Sequence, residues 1–539
     1  MSPSHPVDDW QPEWSSFGEF FAGPAIDRPD APYLTEIDHA SGTRRQWTRA
    51  EWLTQVARTA AGLAERGVQP GEPVSALAGN AADALAVAFA CWTHGWVYLP
   101  LNAHETSERR AFILNHARAQ ILIHGPSEAA RADQLREAAG VPTVPFAEVG
   151  AAPMSLPGTG SGWETPALRV YTSGTTGEPK GVELSTGNLI VDCDALSRAT
   201  GWDADTRVIV VLPIHHVNGL VVSCLQAWYV GGSAVLCDRF RSDRFWSDAE
   251  AEGATVSSLV PTLLEFLLGE GRGPAPACFQ EVFCGAGPLM TETVVAFEEA
   301  FAIPVRHLYG LSEVTAVSTM MPSMSNGDRR SWYVDHGFPS IGCAIPHVEV
   351  QIQDTNGQEC LAGERGEIVI RGATVMGGYA GRPEATASAF EGGWFHSGDE
   401  GFWQRADDGT PYFFISGRIK ELIIRGGINI SPFQVDEVLN SHPAVQFGLA
   451  VPFENRYYGE EIAAYIVQSS PVTEQEVLDF CAERLDFAYC PKVVLFGDDV
   501  PFTVTGKAKR LSLKDQLAEE LSKYRDAQFR RRSTAAPEG

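Results

Sequence analysis

Residues 171–182 read YTSGTTGEPKGV, a loop rich in glycine and hydroxyl side chains that ends with a lysine. Glycine adopts backbone angles closed to other residues, so the main-chain N–H groups of such a loop can curl around an anion while hydroxyl groups add donors. The loop predicts a polyphosphate site, with candidate nucleotide-binding residues Thr172, Ser173, Gly174, Thr175, Thr176, Gly177 and Lys180. Taken alone, the segment is also compatible with a flexible surface loop.

This loop is not a Walker A loop. That motif requires G-x-x-x-x-G-K-[ST]. Here Lys180 follows Gly177 by three places, and Gly181 stands where a serine or threonine is needed. The phosphate chemistry therefore belongs to another class of nucleotide-binding protein.

Composition limits the classes of partner. The chain has 539 residues and is 44% apolar, which predicts more than one domain. Its net charge of −27 opposes nucleic acid and anionic membranes, so an anionic ligand must be held by local cations. The ten cysteines form no C-x-x-C pair, and neither a signal peptide nor a membrane span is evident. We expect a cytoplasmic protein that binds no nucleic acid.

Helical and strand patterns alternate from about residue 50. The stretch EWLTQVARTAAGLAERG (51–67) has apolar residues at helical spacing, and strand-like runs recur at 97–101, 120–125, 207–213, 254–260 and 280–285. Such alternation predicts parallel sheets covered by helices on both faces, an α/β fold. The pattern becomes strand-rich after about residue 340, and a shorter mixed α+β segment follows residue 420. We predict an N-terminal domain (1–419) with a β-rich subdomain, a C-terminal domain (420–525) and a polar tail (526–539).

A second motif, HLYGLSEVT (307–315), places Tyr309, Gly310, Leu311, Ser312 and Glu313 at the end of a short apolar strand. Ligands favour the carboxyl ends of strands in α/β sheets, and a carboxylate beside hydroxyl groups suits Mg²⁺ held between protein and phosphates. The motif also fits a helix start, with the serine as N-cap and the glutamate in the first turn.

Two further segments carry glycines beside polar groups. FCGAGPL (283–289) offers Gly285, Ala286 and Gly287, where glycine fits either close approach to a ligand or a tight turn. GGWFHSGDEG (392–401) holds Asp399 between glycines, where its carboxylate can accept both hydroxyls of a ribose. An Asx turn is the alternative for this aspartate.

The remaining segments are FFISGRIKELIIRGGINISP (413–432) and PFTVTGKAKR (501–510). In this order, the motifs resemble those of the AMP-forming acyl-adenylate synthetases, the superfamily of acyl-CoA synthetases, peptide-synthetase adenylation domains and beetle luciferases. The resemblance runs from about residue 45 to 512 and is strongest to the acyl-CoA synthetases. It implies that ATP, Mg²⁺ and CoA, as co-substrate, are used, and that a small C-terminal domain moves between two half-reactions.

The resemblance also implies roles for individual residues. Glu313 would bind Mg²⁺ together with Thr176, and Lys507 would be the catalytic lysine that bridges the acid carboxylate and the α-phosphate. Lys420 would be the hinge between the domains. The nucleotide contacts would include Tyr309 at adenine, Ser312 at the α-phosphate, and Asp399 with Arg418 at the ribose. The base and acyl pocket would be lined by Gly285, Ala286 and Gly287. The path of the thiol would be lined by Gly426 and Gly427.

The acid is predicted less directly. LPIHHVNGL (212–220) occupies the place of a family motif in which His216 would gate the carboxylate, although His215 and His216 also fit a structural pair. The chain has neither the Asp of amino-acid-activating domains nor the Asn of many aryl-acid enzymes here, which favours an uncharged, largely apolar small-molecule acid. The acceptor is CoA or the phosphopantetheine of a carrier protein, and a nucleotide-binding protein without turnover or a luciferase-like oxygenase are further alternatives. The sequence gives no oligomeric state.

Overall fold

A computed structural model describes residues 10–149, 162–172, 179–271, 273–501 and 508–529. Within these ranges the α-helices are α1 (Phe17–Asp27), α2 (Arg49–Glu65), α3 (Ala82–His94), α4 (Ser107–Ala117), α5 (Ala129–Ala139), α6 (Phe146–Val149), α7 (Thr186–Thr200), α8 (Gln226–Tyr229), α9 (Phe245–Glu252), α10 (Pro261–Gly269), α11 (Thr291–Phe301), α12 (Asn326–Val334), α13 (Pro383–Ala389), α14 (Pro432–Asn440), α15 (Glu474–Ala482) and α16 (Arg510–Leu521). A π-helix, Asn218–Leu225, leads directly into α8.

The strands of the same ranges are β1 (Pro32–Asp38), β2 (Thr43–Thr48), β3 (Pro73–Leu77), β4 (Val97–Leu101), β5 (Ile121–His124), β6 (Thr143–Pro145), β7 (Pro166–Thr172), β8 (Lys180–Ser185), β9 (Arg207–Val210), β10 (Ser233–Cys237), β11 (Val256–Leu259), β12 (Glu281–Cys284), β13 (Val305–Tyr309), β14 (Thr319–Met320), β15 (Cys343–Ala344), β16 (Val348–Gln353), β17 (Gly366–Gly372), β18 (Gly378–Tyr379), β19 (Phe395–Arg405), β20 (Pro411–Arg418), β21 (Ile423–Arg425), β22 (Ile428–Ile430), β23 (Val445–Asn455), β24 (Gly459–Gln468) and β25 (Val493–Phe496).

Helix α2 shows how the predicted pattern is realised. Thr48 caps its first turn by accepting from the Glu51 N–H, and the Glu51 carboxylate accepts in return from the Thr48 N–H. Trp52, Val56 and Leu63, which lie along one face, are fully buried against the first sheet and helix α3. The apolar spacing of 51–67 thus produces the helix that it predicted.

Two large mixed sheets form the N-terminal part. The first has the order β15-β14-β13-β12-β11-β9-β10-β1-β2, and the second β18-β8-β7-β4-β3-β5-β6. The runs from β13 to β1 and from β7 to β6 are parallel, as the sequence predicted, but antiparallel strands close the edges of both sheets. The α/β architecture is confirmed, and the purely parallel expectation for these sheets is wrong at their edges.

A third, antiparallel sheet, β16-β17-β19-β20, forms the strand-rich region expected after residue 340. A fourth sheet follows it, with the order β22-β21-β24-β23 and β25 paired to β24. The chain passes from the third sheet to the fourth through a single short 3-10 turn, Ile419–Glu421. Among the described residues, no helix is both long and apolar enough to cross a bilayer.

Candidate active site

Three residues from separate motifs meet where strands β13 and β20 end and β19 passes beside them. Asp399 and Arg418 face each other in the antiparallel register of β19 and β20, with Arg418 Nε 3.2 Å from Asp399 Oδ1. The Tyr309 hydroxyl, at the end of β13, donates to Asp399 Oδ2 over 2.8 Å. Asp399 therefore lies within a strand, and the Asx-turn alternative is wrong.

The Asp399 carboxylate is almost fully buried, at 2% exposure. Its Oδ1 accepts no aligned hydrogen bond from the described residues, so the contact to Arg418 is an ion pair that leaves acceptor capacity. The charge of Asp399 raises the pKa of the Arg418 guanidinium, and burial together with this charge holds the pKa of the Tyr309 phenol well above its usual value. A buried carboxylate with open lone pairs suits a ligand with paired hydroxyl groups.

A second constellation joins Glu313 to the lysine of the phosphate loop. The Tyr379 hydroxyl donates to Glu313 Oε1 over 3.1 Å, and Lys180 Nζ lies 4.7 Å from the centroid of the Tyr379 ring. Burial raises the pKa of the Glu313 carboxyl, while the Tyr379 hydrogen bond and the charges of Arg418 and Lys180 oppose that rise. A cation at this carboxylate would favour its ionised form.

Tyr379 is a site residue that the sequence reasoning missed. It ends strand β18, which pairs with β8 immediately after Lys180. The signal in the sequence is a single aromatic residue in the glycine-rich segment GGYAG (377–381). A lone tyrosine in a turn carries no charge pattern or spacing that identifies it as functional.

The loop after β13 is held by close backbone contacts. Ser312 begins a 3-10 turn, Ser312–Val314, whose N-cap position is Leu311, so the N-cap alternative for Ser312 is wrong. A side chain on Gly310 would collide with the Ala316 carbonyl. This glycine is therefore required by the turn itself, whether or not a ligand approaches it.

The loop after β12 is also held by close packing. A Cβ on Gly285 would collide with the side chain of Leu308 on the adjacent strand β13, whereas one on Gly287 would meet only Pro261 at an ordinary 3.6 Å. Ala286 has φ of +64°, which a non-glycine residue rarely adopts. Close packing between neighbouring strands explains Gly285, and the strained Ala286 turns the chain beside Tyr309.

The phosphate loop is only partly within the described residues. Thr172 and Lys180 are register partners at the end of the β7–β8 pair, on the edge of the second sheet. The predicted residues Ser173, Gly174, Thr175, Thr176 and Gly177 lie outside the described residues. Because β18 pairs with β8, this end of the β7–β8 pair lies beside Tyr379.

Lys507 also lies outside the described residues. Three positions later, Arg510 begins α16; it is fully buried and its guanidinium is paired with the Asp436 carboxylate. Arg510 Nε is also 3.5 Å from a carboxylate oxygen of Glu421, which follows Lys420. The described residues that follow Lys507 are thus anchored at Arg510, whose guanidinium lies beside Glu421 of the 3-10 turn.

The glycine pair after β21 forms the turn of a hairpin. Gly426 and Gly427 have φ of +58° and +84° and join β21 to β22, a turn that needs positive φ at both central residues. The Gly426 N–H donates to the Tyr458 carbonyl over 2.7 Å. Lys420 itself is exposed within the 3-10 turn that links the third and fourth sheets.

His215 and His216 immediately precede the π-helix. Their ring centroids are 4.4 Å apart, and burial with the neighbouring His216 and His104 lowers the pKa of His215 well below its usual value. The His216 N–H donates to the Pro213 carbonyl over 3.1 Å. A side chain on Gly219 would collide with the Pro213 carbonyl, so this glycine fixes the tight bend that presents the two histidines.

A small cavity lies beneath the loops that follow β12 and β13. Its volume is about 10 Å³, and its lining comprises Leu196, Thr200, Trp202, Val222, Gln226, Phe283 and Leu308. None of these residues, which all fall within the described ranges, is charged. Within those ranges, no group of three or more His, Cys, Asp or Glu could hold a metal ion alone, so a cation at Glu313 would need oxygen ligands from a nucleotide.

Comparison with known proteins now decides the family. The AMP-binding enzyme family matches residues 24–380, and the AMP-binding enzyme C-terminal domain matches residues 434–507. The chain belongs to the AMP-binding enzymes. The resemblance inferred from the motifs is confirmed.

Named relatives of this AMP-binding enzyme are CoA ligases. The sulfoacetate–CoA ligase of Cupriavidus necator is 33% identical over 502 residues, covering 90% of this chain and 94% of its own length. A feruloyl-CoA synthase of Amycolatopsis is 33% identical over 482 residues, covering 88% and 94% respectively.

Solved structures show the same likeness. ATP-bound MatB from Rhodopseudomonas palustris superposes with a TM-score of 0.84 at 27% identity, covering 93% of this chain and 99% of that one. The o-succinylbenzoate CoA synthetase of Bacillus subtilis, in complex with its acyl-adenylate, has a TM-score of 0.82 at 28% identity, covering 92% and 98%. This AMP-binding enzyme is therefore an AMP-forming ligase of the acyl-CoA synthetase type, which joins a carboxylic acid to CoA through an acyl-adenylate and uses ATP and Mg²⁺.

Proposed function

We propose that this ligase activates an uncharged, largely apolar carboxylic acid in the cytoplasm, with the nucleotide held at Asp399, Arg418 and Tyr309. The observation that carries the site is the buried Asp399 carboxylate, which is fixed by two partners and keeps open lone pairs on Oδ1. Paired ribose hydroxyls can donate to such a carboxylate. None of the ten cysteines, all within the described residues, forms a disulfide, which supports a reducing compartment.

The residues of the second constellation serve the phosphates. Lys180 lies against the Tyr379 ring at the described end of the β7–β8 pair, and in sequence it ends the loop predicted to cradle the anion. Tyr379 orients the Glu313 carboxylate from the other side. Mg²⁺ at Glu313 and Thr176 would neutralise charge on the phosphate oxygens.

Alignment and charge neutralisation suffice for the first half-reaction. The acid carboxylate attacks the α-phosphorus of ATP and pyrophosphate leaves, so no protein group needs to remove a proton. Lys507 stabilises the charge that builds on the α-phosphate, and Ser312 faces the same oxygens from the loop after β13. Backbone atoms of Gly310, Leu311 and the 285–287 loop border the adenine.

The character of the acid follows from its surroundings. The cavity beneath the site has no charged lining residue, and His215 stays neutral because burial lowers its pKa. A second carboxylate or an ammonium group on the acid would lose hydration there with no opposite charge to pair with. An uncharged acid is therefore favoured, and His216 gates its carboxylate.

The second half-reaction transfers the acyl group to a thiol. We propose domains of 1–419 and 420–525, with a polar tail at 526–539, because the connection between the third and fourth sheets is confined to the turn around Lys420. Rotation about this turn withdraws Lys507 and brings the hairpin of Gly426 and Gly427 to the thiol path. The alternative acceptor, a carrier-protein phosphopantetheine, presents the same thiol arm as CoA.

A panel assay tests this function. Purified protein is incubated with ATP, Mg²⁺ and individual apolar, aryl and dicarboxylic acids, and pyrophosphate release is followed with and without CoA. We expect release with one or more uncharged acids, and acyl-CoA only when CoA is added. Preference for dicarboxylic acids would contradict the proposed acid, and thioester formation on a phosphopantetheinylated carrier protein but not on CoA would establish the alternative acceptor.

A further inference from the structure

The Gln226 side chain carries a buried amide without a partner. The residue is fully buried, at 0% exposure, and neither its Nε2 nor its Oε1 makes a hydrogen bond to the described residues. A buried amide that lacks partners destabilises the folded state, whereas an apolar residue of the same shape would not. Its partner therefore lies outside the described residues, and a water molecule or a ligand group can supply it.

Gln226 lines the cavity beneath the site. It begins α8 and follows the π-helix that starts two residues after His216, so one continuous helical segment leads from the carboxylate gate to this amide. Val222, four residues earlier, lines the same cavity. At a rise of about 1.5 Å per residue, eight residues from Asn218 to Gln226 span at most about 12 Å.

The opposite wall belongs to the strands below the nucleotide loops. Phe283 and Leu308 line the cavity; they lie two residues before Gly285 and directly before Tyr309. Ser258, the register partner of Phe283 on β11, shares its face of the sheet, and its hydroxyl is buried without a partner among the described residues. The Gln226 amide and the Ser258 hydroxyl thus lack partners among the described residues, whereas the Thr200 hydroxyl, also in the lining, donates to the Leu196 carbonyl over 2.7 Å.

We propose, on the basis of the function proposed above, that Gln226 determines the specificity of the acid pocket and that the acid carries an uncharged hydrogen-bonding oxygen remote from its carboxylate. The amide can donate to a carbonyl or ether oxygen and accept from a hydroxyl. A charged group would find no counter-ion in the cavity wall. The cavity has a volume of about 10 Å³, close to what is needed to hold one water molecule. In this proposal it is the narrow inner end of the acid pocket and accommodates a terminal oxygen atom of the acid.

Two pairs of acids of matched shape test this inference. The first is 4-hydroxyphenylpropenoic against 4-methylphenylpropenoic acid, and the second is 8-hydroxyoctanoic against nonanoic acid. In each pair a methyl group replaces the hydroxyl. We expect the wild type to prefer the hydroxylated member of at least one pair by about 10-fold or more in kcat/KM for pyrophosphate release, and Gln226→Met to abolish that preference.

Stability supplies a readout that does not depend on turnover. Gln226→Met keeps the length of the side chain and removes the unpartnered amide, so its Tm should rise by ~1 °C or more. Leu225→Met, on the same helical segment but outside the cavity lining, is the matched control and should leave the acid preference unchanged. A lower Tm for Gln226→Met would show that the amide is paired within the protein and would overturn the inference.

The outcomes distinguish the role of Gln226 from the proposed ligase function. Pyrophosphate release that does not distinguish the members of either pair, or a preference that persists in Gln226→Met, overturns the role of Gln226 and leaves the ligase intact. Failure of every acid to release pyrophosphate contradicts the proposed function instead, and the Tm comparison then still decides whether the amide is unpartnered.

Discussion

Tyr379 connects Glu313 and Lys180, the two charged groups that we propose face the phosphates. Its hydroxyl donates to the Glu313 carboxylate, and its ring lies against the Lys180 ammonium group. One side chain thus fixes an anion and a cation whose separation the nucleotide and its metal must match. A partner that orients a metal-ligating carboxylate affects metal affinity without touching the metal.

The variant Tyr379→Phe separates these two contacts. It removes the hydrogen bond to Glu313 and keeps the ring beside Lys180. We expect the Mg²⁺ concentration needed for half-maximal adenylation to rise about 10-fold, since partners of metal ligands are typically worth 10–100-fold in affinity. The measurement is a Mg²⁺ titration of acid-dependent pyrophosphate release. The control is Tyr98→Phe, which changes a buried tyrosine of β4. An unchanged Mg²⁺ dependence in Tyr379→Phe would contradict the proposal that Tyr379 orients Glu313.

The sequence identified the charged members of the site and missed their neutral supports. Asp399 and Arg418 were predicted separately from two motifs, and the structure places them opposite each other on adjacent strands. Tyr379 and Gln226 gave no signal because their function depends on what they face after folding. A tyrosine in a turn and a glutamine in an apolar helix are ordinary residues until a contact, or its absence, is visible.

Helix α7 supports the loop after β13 through a buried carboxyl group. Asp192 is fully buried, and its Oδ1 accepts from the Val317 N–H over 3.5 Å. Burial raises the pKa of Asp192 from 3.8 to about 8, and the backbone N–H groups of Val317 and Ala316 oppose that rise only in part. The carboxyl group is therefore protonated in the folded protein at neutral pH.

This protonation makes stability depend on pH. Between about pH 4 and pH 8 the folded state keeps a proton that the unfolded state loses, so the free energy of unfolding falls by at most about 1.4 kcal/mol per pH unit as pH rises. Asp192→Asn has no such proton and loses this slope. We expect the Tm of Asp192→Asn minus the Tm of the wild type to be larger at pH 7.5 than at pH 5. A Tm difference that does not change with pH would contradict a buried, protonated carboxyl group.

Elements with a clear period were predicted, and short ones were not. The strand at 97–101 and helix α2 lie where their patterns placed them, and the runs at 120–125 and 280–285 contain β5 and β12. The two-residue strands β14 and β15, which extend the first sheet with antiparallel pairs, are too short to carry a period. The pairing of such short edge strands depends on which other segment lies beside them after folding. A local sequence pattern does not carry that information.

At the scale of the whole molecule, the third and fourth sheets are joined through the short 3-10 turn Ile419–Glu421. Lys420 lies in this turn. The φ of about −50° to −70° that is typical of 3-10 helices is compatible with the proline ring. Lys420→Pro should therefore be compatible with the described arrangement and oppose rotation away from it. We expect adenylation to survive and thioester formation to fall by far more, in single-turnover assays of each half-reaction.

The control for the hinge variant is Lys420→Ala, which removes the charge and leaves the backbone free to turn. It should retain both half-reactions at rates closer to wild type than Lys420→Pro. If Lys420→Pro performs both half-reactions at the wild-type rate, the hinge lies elsewhere or the C-terminal domain does not need to turn.

This ligase is expected to activate its acid as an acyl-adenylate before any thiol is involved. The most direct measurement is the exchange of labelled pyrophosphate into ATP, with acid and Mg²⁺ present and CoA omitted. We predict that the exchange requires the acid. In Lys507→Ala it should slow about 10²-fold or more, the scale of removing one preorganised electrostatic donor. The same variant should still transfer the acyl group from synthetic acyl-AMP to CoA. Exchange that is independent of acid, or conversion of ATP to ADP, would contradict the account.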